Sequence, residues 1–177
     1  MKMFKKLMAV VLAGVMALAV LTGCGSALNE KEMIRIMNDG LKTTSSGTVK
    51  EYKADNGVTA KAKAVAKIVA EKAKKEADIK DVLMNNEDVD KAVVGENDDA
   101  FYVLSYVKSI SFSSNYYKDH KNMMNVEAIG EHSVIVNAAA DYQVVKDATV
   151  LVGFADVKLD DGVYTIIVMK APTEKVA

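Results

Sequence analysis

The stretch "ATVLVGFADVKLDDGVYTIIVMK" (148–170) constrains the fold of this chain more than any other. Two β-branched runs flank "LDDGV" (159–163), where Asp161-Gly162 is a strong short-range signal for a hairpin. "HSVIVN" (132–137) adds a third such run. A sheet in the C-terminal third needs something to cover it, and the earlier sequence offers helices. The expectation is an α+β domain, with N-terminal helices packed on a small C-terminal antiparallel sheet.

The clearest helix is "TAKAKAVAKIVAEKAKKEAD" (59–78). Ala62, Val65, Val69 and Ala73 form one apolar stripe with Ile68 beside it, and lysines crowd the opposite face. That lysine series is read as a solvated helix face, with Glu71 and Lys75 at i,i+4 spacing; contact with a membrane surface is the alternative. "NEKEMIRIMNDG" (29–40) reads as an earlier helix, with Asn29 and Glu32 in a capping-box arrangement and Gly40 as its stop. "KTTSSGT" is a loop, "VKEY" (49–52) a short strand and "DNG" (55–57) a turn. A short turn of helix is expected near 88–94, closed by Gly95. Residues 99–109 are read as helix capped by Asp98 or Asp99, against a Phe, Tyr and Val content that favours strand. Residues 113–125 read as loop with a short helix. Pro172 is taken as the end of structure, leaving 172–177 as a tail.

The chain opens "MKMFKKLMAVVLAGVMALAVLTGC", a basic start followed by an apolar run from Leu7 to Leu21 and then small residues. These are the parts of a secretory signal, and the run is shorter than the ~20 apolar residues of a permanent spanning helix. Leu21-Thr22-Gly23-Cys24 resembles the lipobox of bacterial lipoproteins, with a Gram-positive look. The resemblance implies removal of 1–23 and a diacylglyceryl group on Cys24. It implies a membrane-held, extracytoplasmic protein, since two acyl chains suffice for stable anchoring. Residues 24–28 are then a tether reaching less than ~20 Å, and 29–171 a single α+β domain.

Charge and composition narrow the function classes. Without Lys2, Lys5 and Lys6, 20 basic residues face 24 acidic ones, a mildly acidic body poorly suited to nucleic acid. Arg35 is the only arginine, so bidentate capture of phosphate or carboxylate has little to work with. Cys24 is the only cysteine, which excludes thiol chemistry and Cys-based zinc sites from the domain. The chain is too short for a two-lobed solute-binding clamp. His120 and His132 are twelve residues apart without zinc-site spacing, and "NNEDVD" and "ENDD" lack the calcium-loop pattern. "SISFSS" (109–114) has no GxSxG around it. No cofactor and no metal are expected.

The order "MIRIMNDGLK", "AKAVAKIVAEKAKKE" and "VLVGFADVKLDDGVYTIIVMKAP" resembles a divergent CAP domain, the superfamily of cysteine-rich secretory, antigen 5 and pathogenesis-related proteins. Val152-Gly153-Phe154, Asp161-Gly162 and Tyr164 carry the best match. The resemblance implies an α-β-α sandwich with a cavity of two histidines and two acids. Two registers are open: "IGEH" (129–132) offers Glu131, whereas "VGEN" (94–97) offers Glu96 and aligns "HKNMMN" (120–125) with a histidine segment. The weak catalytic candidates are thus Glu131, Glu96, His120 and His132, in a tetrad that neither register completes. The leading expectation is a non-enzymatic, membrane-anchored domain binding a protein or envelope ligand; the alternative is a CAP-type hydrolase with a degenerate His/Glu cavity.

Overall fold

The computed structural model describes residues 31, 34, 37, 38, 41, 49–95, 98–109, 133–136 and 142–176. The domain is α+β. Strand β1 (Val49–Ala54) leads into helices α1 (Asn56–Lys72), α2 (Glu76–Asn85) and α3 (Glu87–Val93). Strands β2 (Phe101–Ser109), β3 (Val134–Val136), β4 (Tyr142–Val144), β5 (Ala148–Leu159), β6 (Gly162–Ala171) and β7 (Thr173–Lys175) follow. Five strands form one sheet in the order β1-β5-β6-β2-β3, and β4 pairs with β7 in a second sheet.

The hairpin expected at 159–163 is present, with β5 and β6 antiparallel and Leu159 opposite Gly162. The sheet as a whole is mixed rather than antiparallel, because β1 pairs parallel with β5. It also recruits β1 and β2 from outside the C-terminal third. Residues 99–109, expected as helix, supply β2, which pairs antiparallel with both β6 and β3. Every residue from Phe101 to Tyr106 is buried, so the strand shows no polar alternation, as is usual for strands covered on both faces.

The long helix expected over 59–78 is two. Ala73 turns extended after α1, and the Asp78 carboxylate accepts the backbone N–H groups of Lys74 (2.9 Å) and Lys75 (3.1 Å) ahead of α2. The hairpin holds this break from outside: Asp160 N–H donates to Lys74 O (2.9 Å), and Glu76 N–H to an Asp161 carboxylate oxygen (3.0 Å). "DNG" is no free turn. Asp55 caps α1, accepting from Val58 N–H at 2.9 Å, and Asn56 and Gly57 form its first turn. Past Pro172, the stretch read as tail carries β7, and Val145 N–H donates to Pro172 O (3.1 Å).

Each face of the main sheet has its own apolar layer. Val58, Ala62, Val65 and Val69 of α1, with Ile79 and Leu83 of α2, pack on the face carrying Tyr102, Leu104, Ile166 and Val168. Val103, Phe154, Ile167 and Met169 point the other way, where the helical residues Ile34, Met37 and Leu41 meet them. At the β1 edge, Asn38 acts like a peptide unit: its Oδ1 accepts Tyr52 N–H (2.7 Å) and its Nδ2 donates to Tyr52 O (2.9 Å). The edge strand's outward groups at Tyr52 are thereby satisfied. Gly153 lets α1 approach β5, since a Cβ there would lie 2.3 Å from Thr59 N and Val58 C.

Candidate functional site

A cavity of about 490 Å³ lies where α2 and α3 meet the edge strand β3. Leu83 and Met84 from the end of α2, Val94 beyond α3, and Val134–Val136 form its apolar wall, with Asp90 and Lys91 also lining it. On α2 the apolar stripe Ile79, Val82 and Leu83 faces the core. Met84 falls off that stripe and is 54% exposed, the largest exposure among the described large hydrophobic residues.

A polar clasp fixes the link from α3 to β2 beside this cavity. Asp98 Oδ1 accepts Ala100 N–H (3.1 Å), and Oδ2 accepts the Tyr102 hydroxyl (2.6 Å) and Lys170 Nζ (3.0 Å). Lys170 and Lys61 place their ammonium groups 5.5 Å and 5.4 Å from the centroid of the Tyr102 ring, a cation–π arrangement. Lys61 Nζ also donates to Val93 O at the end of α3. Burial works against the Asp98 carboxylate, yet its hydrogen bonds from Tyr102, Lys170 and Ala100 outweigh that and hold its pKa below the ordinary carboxylate value. Burial pushes the Tyr102 phenol upward, as do its bond to Asp98 and the charge there. Asp98 and Lys170 thus form an ion pair that also takes the Tyr102 hydroxyl.

At the opposite end of the sheet, Tyr164 donates to Glu76 Oε2 at 3.4 Å, and Tyr106 meets its ring edge-on with centroids 6.4 Å apart. Burial raises both phenols, and the Glu76 charge adds to it. Among the described residues no group of three or more His, Cys, Asp or Glu could hold a metal ion. None of their helices is long and apolar enough to cross a membrane.

Cys24, Glu96, His120, Glu131 and His132 all lie outside the described residues. The sequence reading did not single out Leu83, Met84, Asp90 or Lys91; the available signal was Met84 breaking the one-sided pattern of α2. What this cavity offers chemically is apolar contact with one acid and one base nearby, beside a strand at the end of its sheet. Compared with known proteins, the chain matches no family model, no curated protein and no solved structure.

Proposed function

We propose that this chain is a lipid-anchored extracytoplasmic lipoprotein whose domain binds an envelope partner without catalysing a reaction. The observation that carries the reading is Leu21-Thr22-Gly23-Cys24 at the end of an apolar leader, a few residues ahead of a folded domain. Support for binding comes from the cavity beside β3, whose wall pairs apolar side chains with Asp90 and Lys91 and holds no nucleophile–base pair. Helical residues on both faces of the sheet agree with the α-β-α layering that the CAP resemblance implies, and that finer assignment is part of the proposal.

Fractionation of cells making the Cys24→Ser variant tests the anchor. The expected result is loss of the processed, membrane-held form, and unchanged processing and retention would refute it. A photocrosslinker at Met84, compared with one at exposed Lys158, tests the binding surface. Crosslinks to an envelope component specific to position 84 are expected, and equal labelling at both positions counts against the cavity. The hydrolase alternative takes over if the His120→Ala and His132→Ala variants lose a hydrolytic activity that the parent chain displays.

A further inference from the structure

The helix layer separates charge in a way the domain's balance conceals. Residues 56–75 carry six lysines against one acid, Glu71, whereas 76–95 carry six acids against two lysines. Four of the lysines lie on α1 and all six acids on α2 and α3, while Lys74 and Lys75 sit in the link between, where their backbone N–H groups meet the Asp78 carboxylate. Lys61 turns inward to α3, where its ammonium meets Val93 O. Lys63, about 200° further round the helix, lies on the opposite flank, with Lys67 one turn on. Lys63, Lys67, Lys72, Lys74 and Lys75 are all exposed. The ion pairs seen among the described residues, Lys91–Glu87 and Lys170–Asp98, involve none of them. The Lys75 charge acts on Asp78, whereas the charges of Lys63 and Lys67 are left to solvent or to an anionic surface.

We infer that this flank of α1, carrying Lys63 and Lys67, docks on the anionic phospholipid headgroups of the membrane that holds the anchor. The inference rests on the anchoring reading, which keeps the domain within a short tether of that surface. A mildly acidic domain close to anionic lipid is repelled unless it presents one face. Here Lys63 and Lys67 supply the attraction, and α3 with its acids lies on the Lys61 side of the helix. Each lysine near such a surface strengthens association by about fivefold, an effect that fades beyond a Debye length. The occupant is a lipid surface rather than one phosphate, because the lysines are spread along an exposed helix with no arginine fork among them.

The test uses the full lipid-modified chain on vesicles of phosphatidylcholine alone or with phosphatidylglycerol added. Flotation reads the anchor, and mass-spectrometric footprinting with an amine-acylating reagent reads the lysines. Flotation with both vesicles, with Lys63 and Lys67 protected several-fold only where phosphatidylglycerol is present, supports docking. That protection should vanish near 1 M salt, where the Debye length is ~3 Å. The Lys67→Glu variant, altered at an exposed position, should fold, float equally and lose the protection at Lys63, the amine that remains on the flank. Equal acylation of Lys63 and Lys67 on both vesicles overturns the inference and leaves the anchor standing. Flotation only with phosphatidylglycerol removes the anchor and keeps the docking face, and flotation with neither removes both.

Discussion

Replacing Gly153 with alanine should separate the helix layer from the sheet. The added Cβ would lie 2.3 Å from Thr59 N, 2.3 Å from Val58 C and 2.4 Å from Val58 O. All three are backbone atoms in the first turns of α1, so no side chain can rotate away. Ordinary contact is about 3.5 Å, and α1 must therefore retreat from β5 by roughly 1 Å. A gap of that size forfeits about a quarter to a half of the dispersion attraction across it. The buried residues of α1 are Val58, Ala62, Val65, Ala66 and Val69, and a fully buried valine is worth roughly 1.5–3 kcal/mol. The loss should reach about 3–5 kcal/mol, at or above the upper end of ordinary overpacking. That is a large part of the ~5–15 kcal/mol that holds a domain folded. Urea unfolding followed by circular dichroism should show the midpoint falling by more than 1 M at slopes of about 1–3 kcal/mol/M. Gly57→Ala is the control, since its Cβ would meet only a side-chain oxygen, Asp55 Oδ1, at 3.1 Å. A Gly153→Ala protein within about 1 kcal/mol of the parent would refute the close packing of α1 on β5.

Three further outcomes follow from particular side chains. Asp98 has a depressed pKa in the fold, so its stabilisation is complete above the ordinary carboxylate range and is lost as pH falls through the lowered folded value. Asp98→Asn should cost about 1–2 kcal/mol at neutral pH and flatten the acid limb of stability against pH, and an unchanged acid limb would rule this carboxylate out as its source. Ser105 Oγ is buried without a hydrogen-bond partner among the described residues, and Ser105→Ala should be neutral or stabilising by up to about 1 kcal/mol in the same unfolding assay; a loss greater than that means the hydroxyl has a partner. Asp147 has φ 56° in the turn before β5, so Asp147→Val should cost about 1–2 kcal/mol while Asp147→Gly stays near the parent; equal losses would mean the turn does not depend on that conformation.

The legible parts of the fold were those where one face alone is buried. Ala62, Val65, Val69 and Ala73 stood out as a stripe because exposed lysines interrupt them, and all four are core residues. The β5–β6 hairpin was legible from its Asp-Gly turn, and the short helix before Gly95 appears as α3. Strand β2 was misread for two linked reasons. Burial on both faces removed its alternation, and Asp98 carries the side-chain-to-backbone bond that a helix cap would also make, here to Ala100 two residues on. The end of α1 could not be read locally, because "EKAKKEAD" suits a helix throughout. Asp160 and Asp161, more than eighty residues away, help fix the break. The parallel pairing of β1 with β5 is likewise a long-range choice that no local pattern encodes. For the site, the sequence marked residues able to do chemistry, whereas the cavity beside β3 is built of ordinary aliphatic side chains that converge only in the fold.

The central claim is that this polypeptide is held at a membrane by acyl chains on Cys24. Intact-mass and peptide mass spectrometry of the protein purified from its native envelope tests it most directly. The account expects a mature chain beginning at Cys24, with the added mass of a diacylglyceryl group on that residue. A retained leader, or a first residue bearing a free thiol, would contradict it.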